Sequence, residues 1–221
     1  MKLLALEAGS PVISAALFDN AKLVGSAWVP AAQRPAEALA PMVQGLLEQH
    51  GWTAKDLGAV ACGAGPGSFT GLRSSLAFGT GFSLALPSLR VIAVSTLQAW
   101  AEALVPAGTA EAWVLLDGRR GQVFVGHLQR QGQDWAWVSP PGLQDLPQAL
   151  AQIGADGSVV SDMEPAVLGR NAIVFSPSAV LAEAVGRLAQ HEHGSQSLPW
   201  EPQYLRRPEV EILWEKLHPK T

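Results

Sequence analysis

One cysteine and one tyrosine stand among 221 residues, and only 15% of the side chains are charged against 48% that are hydrophobic. The single thiol, Cys62, excludes an internal disulfide and, set in an apolar run, predicts a small buried side chain in a reducing compartment. No long hydrophobic segment is present. The uncharged stretch 74–89 is too short and too rich in Gly, Ser and Thr to span a bilayer, so it must be covered by this chain or by another. The opening MKLLALE lacks the apolar core and cleavage site of a signal peptide and reads as a first strand, so a cytoplasmic protein is expected. Positive charge is scarce as well. Residues 1–105 hold six basic and six acidic side chains and residues 106–221 nine and thirteen, so the net charge of −4 arises in the second half. Neither half is a basic platform for nucleic acid; if RNA is handled nearby, the phosphate-neutralising charge belongs mainly to a partner. The apolar content is sufficient for one large domain or two small ones and argues against disorder.

What is present has an order. Residues 2–7, 12–18 and 23–29 read as three strands, with Asp19 and Asn20 supplying turn chemistry. Leu39, Met42, Val43, Leu46 and Leu47 recur at helical spacing, ending at Gly51, with Pro41 marking either the helix start or a kink. A buried strand at 57–62, a glycine loop, an uncharged helix, a strand at 90–94 and a helix from the STLQ capping box at 95–98 complete a βββαβαβα half. The second half starts in the same way, with strands at 113–116, 122–128 and 135–138 separated by turn signals at Asp117-Gly118 and Gln131-Gly132. A helix near 145–153, strands at 158–161 and 172–175 and a helix at 177–190 follow. No residue-level repeat is visible, but the topology occurs twice. This predicts an α/β protein of two tandem ribonuclease H-like lobes of the actin-like ATPase superfamily, divided as residues 1–105 and 106–221, with a ligand cleft between lobes.

The densest signal is residues 62–73, CGAGPGSFTGLR, with four glycines between a strand and a helix. It is not a Walker loop, since Gly71 is followed by Leu72-Arg73 rather than Lys-Ser or Lys-Thr. A dinucleotide fingerprint fails at Thr70, where the third glycine belongs, and a hydrolase elbow fails because Pro66 and Thr70 flank Ser68. Gly65, Gly67, Ser68, Thr70, Gly71 and Arg73 therefore make either a tight packing turn or a weak anion site at a helix N-terminus. In the helix that follows, Ala77, Gly81 and Ala85 form a shallow face opposite Leu72, Leu76, Phe78, Phe82 and Leu86. Such a face admits a close-packed helix, from residues 36–50 or from another subunit.

Acid–base candidates are few. Glu7 and Asp117 occupy the ends of the first strands of the two halves, where actin-like kinases place carboxylates for magnesium and phosphate chemistry, yet both also suit turns. His191 and His193 do not share a helical face, His50 ends a helix, and no metal site stands out. The eight tryptophans form no cluster with basic residues and read as core and edge packing.

Four ordered segments carry a resemblance: AGPGSFTGLR at 64–73, VSTLQA at 94–99, LDGRRGQVF at 116–124 and PQYLR at 202–206. Together they resemble the TsaB/YeaZ family over nearly the whole chain. The resemblance implies an actin-like, noncatalytic subunit in threonylcarbamoylation of the adenosine next to the anticodon of tRNAs that read codons beginning with A. It implies docking on the larger catalytic paralogue TsaD, with the ATPase TsaE joining them, and tRNA met only indirectly through the complex. No cofactor is then required by this chain; weak nucleotide binding at the TsaD junction is compatible with it. The partner face would comprise Leu39, Met42, Val43 and Leu46 with Ala77, Gly81 and Ala85, and the same face would serve a homodimer when TsaD is absent. The family usually carries Asp-Thr-Ser after the first strand and His-Ser before the first helix, where this chain has Glu7-Ala-Gly-Ser10 and Arg34-Pro35. Glu7, Ser10 and Asp117 would thus line an eroded nucleotide cleft. Rival readings are an actin-like small-molecule kinase and, with less support in the residues, a peptidase, which would need a metal or an activated nucleophile.

Overall fold

A computed structural model describes residues 1–32, 34–154, 157–174, 180–191, 199–206, 214 and 218. His193 and most of the tail beyond 206 lie outside the described residues, as do the first residues of the helix expected at 177–190.

Two five-stranded sheets form the frame. In the first, β1 (Lys2–Glu7), β2 (Val12–Asp19) and β3 (Lys22–Pro30) make the antiparallel meander, and β4 (Ala59–Gly65) and β5 (Arg90–Ser95) extend it in parallel, in the order β3-β2-β1-β4-β5. The second repeats the scheme with β6 (Glu111–Arg119), β7 (Gln122–Gln131), β8 (Asp134–Asp145), β9 (Val159–Ser161) and β10 (Ile173–Val174), in the order β10-β9-β6-β7-β8. These are two ribonuclease H-like lobes of the actin-like type.

Period-two alternation sorts the core. Leu4 and Leu6 of β1 face the layer of α1 (Pro35–Gln49) and α2 (Phe69–Ala85), whereas Leu3 and Ala5 face α6 (Leu181–His191) on the other side. Because both faces are covered, β1, β2 and β4 are almost wholly buried and read as continuous apolar runs.

Helices cross between the halves. Leu97, Trp100 and Ala101 of α3 (Thr96–Leu104), from the first half, pack under the second sheet against Val114, Leu116 and Leu128. In exchange, Ala182, Val185 and Leu188 of α6 pack under the first sheet, and the Ser14 hydroxyl on β2 accepts the Ala182 amide at 3.1 Å. The strands divide near residue 105; the helical layer between the sheets belongs to both halves. α4 (Leu146–Gln152) and the one-turn α5 (Pro165–Leu168) cover the outer face of the second sheet.

Several local expectations shift. The β6–β7 hairpin turns at Arg120 and Gly121, whose φ values of 57° and 75° suit a tight primed turn, so Asp117 and Gly118 lie within β6 beside an irregularity in register. β8 runs on through Pro140 and Pro141 to Asp145, which an edge strand with register shifts permits. α1 starts with Pro35 in its first turn and continues through Pro41. At α3, Ser95 makes no side-chain cap and the Gln98 amide donates to the Trp135 carbonyl at 2.7 Å, so no capping box forms.

Candidate functional site

Glu7 ends β1 with no solvent exposure. Its Oε1 accepts the Gly9 amide at 2.6 Å and the Ser10 hydroxyl at 3.3 Å, and its Oε2 accepts the Thr96 hydroxyl at 3.1 Å. Burial pushes the Glu7 carboxyl above its ordinary value of 4.5, while these hydrogen bonds pull the other way. Ser10 is engaged from a second side by the Trp100 indole at 3.3 Å. Gly63 on β4 leaves the space this carboxylate fills, for a Cβ there would overlap Glu7 Oε2. The carboxylate is thus enclosed between β1, β4 and the start of α3.

Asp117 lies in a different environment. Its side chain is about two-fifths exposed, accepts the Arg119 amide at 2.8 Å and pairs with the Arg119 guanidinium at 3.8 Å. Its own amide donates to Asp162 Oδ1 at 2.8 Å, and Asp162, largely desolvated, has its carboxyl raised from 3.8. Sequence reading missed Asp162; a lone Asp after a short strand carries no distinguishing signal. Glu7 and Ser10 come together, whereas no hydrogen bond joins either to Asp117 among the described residues.

The glycine loop is built around the turn after β1. Ser68 donates its amide to the Gly9 carbonyl at 2.8 Å, and its hydroxyl accepts the Gly71 amide at 3.4 Å as the N-cap of α2. A Cβ at Gly67 would overlap the Gly9 carbonyl oxygen, and one at Gly71 the Ala8 carbonyl oxygen. Gly65 needs its glycine for a different reason, its φ of 113°. The Gly65 amide donates to the Thr96 hydroxyl at 3.1 Å. The amides of Gly65, Ser68 and Gly71 are therefore spent on the protein. Thr70 and Arg73 point outward, and the Arg73 guanidinium lies over the Phe69 ring at 4.6 Å.

The outer face of the first lobe holds the remaining candidates. Ala77, Gly81 and Ala85 of α2 are exposed, and a Cβ at Gly81 would meet nothing within 4 Å. A shallow groove lined by Ala36, Leu39, Thr70, Arg73, Ala77 and Phe78 separates the starts of α1 and α2. Leu39, Val43 and Leu46 depart from expectation: at 1%, 2% and 4% exposure they are core residues that hold α1 on the sheet. Their helical spacing marks the buried stripe, not the outer one. Met42 is half-buried beside them, in a second groove with Trp28, Ala38 and Pro41.

Among the described residues, no group of three or more His, Cys, Asp or Glu could hold a metal ion, and no helix is long and apolar enough to cross a membrane. Two tryptophan rings each lie under one cation, Trp52 under Lys2 and Trp135 under Arg130. In both cases a single cation covers a ring, which does not make a base-stacking surface.

The family model described as TsaD, tRNA N6-adenosine threonylcarbamoyltransferase, matches residues 29–180. The chain belongs to this family, in its TsaB/YeaZ branch. It is 28% identical to the tRNA threonylcarbamoyladenosine biosynthesis protein TsaB of Escherichia coli (strain K12), across 98% of each chain. The solved structure of YeaZ from Pseudomonas aeruginosa is 25% identical with a TM-score of 0.73, covering 86% of this chain and 91% of that one. An activator of 2-hydroxyisocaproyl-CoA dehydratase from Clostridium difficile, solved with ADPNP, shares the fold alone: 10% identity, TM-score 0.50, and 86% and 95% coverage.

Proposed function

We propose that this TsaB/YeaZ-type chain takes part in the synthesis of threonylcarbamoyladenosine in tRNA as a noncatalytic, activating subunit. In this reading it docks on TsaD through the outer α1 and α2 face of its first lobe, and TsaE completes the assembly. The substrates are tRNAs reading ANN codons, contacted through the complex, in keeping with a net charge of −4 and no basic platform. One observation carries the reading. The carboxylate at the end of β1 is enclosed at 0% exposure, while the small-residue stripe of α2 stands open. A kinase of this fold would present the former to metal and phosphate; a docking subunit needs the latter. The TsaB name of the relatives supplies the pathway.

The test is light scattering after size exclusion on this chain, on TsaD of the same organism, and on their mixture. A heterodimer formed at the expense of any homodimer supports the reading. No complex at micromolar concentrations, with or without nucleotide and TsaE, overturns it. Calorimetry showing stoichiometric magnesium-nucleotide binding by the chain alone would then favour the kinase.

A further inference from the structure

Residues 199–206 form no helix or strand, yet they are anchored along their length. The Trp200 indole donates to the Thr80 hydroxyl at 2.9 Å. Its ring lies on Gly79, where a Cβ would come within 2.6 Å of it and 3.3 Å of the Cys62 sulfur. The Gln203 amide donates to the Ala64 carbonyl at 2.7 Å, and Tyr204 stacks on Phe69 with centroids 5.0 Å apart. Leu205 then packs against the second lobe's core, and Arg206 donates to the Gly118 carbonyl. The segment therefore runs from α2, past the C-terminal end of β4 in the first sheet, to the C-terminal end of β6 in the second. Those ends are where α/β sheets ordinarily admit ligands.

We infer that residues 200–206 act as a clasp, whose anchors on the two lobes engage and release together and whose closed form covers the crevice between the ends of β4 and β6. A stretch without a hydrogen-bond ladder gains order only from its anchors. Losing one anchor returns freedom to the whole stretch and weakens the others. A ligand entering this crevice must displace the clasp. The inference stands apart from the tRNA-modification reading, since it concerns the chain alone.

Cys62 reports on the clasp, being the sole cysteine of the chain and buried beneath the Trp200 end. The experiment is the rate of Cys62 modification by an aromatic disulfide reagent in the full-length chain, followed from zero denaturant upward. Trp200→Ala removes the ring that lies beside Gly79 and the Cys62 thiol, and serves as the open reference. The deciding variants are Arg206→Ala, which removes the hydrogen bond to the Gly118 carbonyl on the second lobe and leaves Leu205 in place, and Tyr204→Ala. Cooperative release predicts modification at least tenfold faster than in the parent chain for both, with little dependence on low denaturant and an unchanged far-ultraviolet dichroism spectrum. Parent-like rates in both, with Trp200→Ala fast, would make Trp200 an independent plug and overturn the clasp. So would an acceleration that merely follows global unfolding as denaturant rises.

Discussion

The Thr96 hydroxyl, first residue of α3, donates to Glu7 Oε2 at 3.1 Å and at the same time accepts the Gly65 amide at 3.1 Å. One hydroxyl thereby joins the ends of β1 and β4 to the start of α3. The carboxylate thus helps hold two neighbouring strand ends and the start of α3 together. A carboxylate that accepts from Gly9, Ser10 and Thr96 inside an apolar shell is satisfied as an acceptor, but it has no cationic partner among the hydrogen bonds it makes.

That environment has a pH signature. The folded-state pKa of Glu7 is raised above 4.5 by burial, so the folded chain holds this proton more tightly than the unfolded chain does. Its contribution to stability is fully present below about pH 4.5 and is lost as pH rises through the raised value, at no more than about 1.4 kcal/mol per pH unit. Glu7→Gln keeps an uncharged group of the same shape. Urea midpoints of the two proteins from pH 4 to pH 8 should diverge, with the glutamine form gaining on the parent as pH increases. Parallel curves would mean that the carboxylate is not desolvated.

Much of this fold is legible in the sequence because its signals are local. The alternation of Leu4 and Leu6 with Leu3 and Ala5 fixes a doubly covered strand, and the stripe Leu39, Val43 and Leu46 fixes α1. The same stripe misleads about function, since helical periodicity reveals that a helix has an apolar face and not whether the covering surface is cis or trans. The site is less legible. Glu7 and Thr96 are 89 residues apart, and the Ser95-to-Gln98 pattern that resembled a capping box concealed the role of Thr96. The crossing of α6 to the first sheet depends on Phe18 fitting against Gly186, a contact no local pattern announces. The PQYLR segment was visible as a motif, but its seat across both lobes was not.

Close backbone approach makes the glycine loop intolerant of a methyl group. A Cβ at Gly71 would overlap the Ala8 carbonyl oxygen, a backbone atom that cannot rotate away. Gly71→Ala should therefore destabilise the chain by about 2–4 kcal/mol, despite the higher helix propensity of alanine. Chemical denaturation measures this directly. A change smaller than about 0.5 kcal/mol would show that the turn after β1 has room to move.

Between the lobes, Glu102 of α3 lies 3.2 Å from Arg187 of α6 and 3.7 Å from Arg130 of β7, and its side chain is 17% exposed. Arg187 is 40% exposed, so solvent screens its share. Glu102→Gln should cost about 1–2 kcal/mol by leaving the Arg130 guanidinium without its carboxylate and Arg187 with only Glu183, at 3.8 Å. The double variant Glu102→Gln/Arg187→Gln should cost less than the sum of the single changes. A double-mutant cycle with no coupling would reduce the trio to a surface arrangement.

Two glycines of α2 separate docking from folding. Gly81 faces outward with nothing within 4 Å of its Cβ position, whereas Gly79 faces inward with the Trp200 ring 2.6 Å away. Gly81→Arg should leave the monomer as stable as the parent or more so, by up to about 0.8 kcal/mol, because arginine is the better helix former. If α2 docks on TsaD as proposed, the guanidinium would be desolvated without a partner in the contact, and association with TsaD should fall at least a hundredfold. Gly79→Ala predicts the reverse: the tryptophan must move, so the thermal midpoint drops while the outer face and its partner affinity remain. Titration calorimetry against TsaD, with circular dichroism melts of both variants, reads the two effects separately. If Gly81→Arg unfolds the chain, α2 is core on both sides. If it folds and still binds TsaD with parent affinity, the docking face lies elsewhere on the molecule.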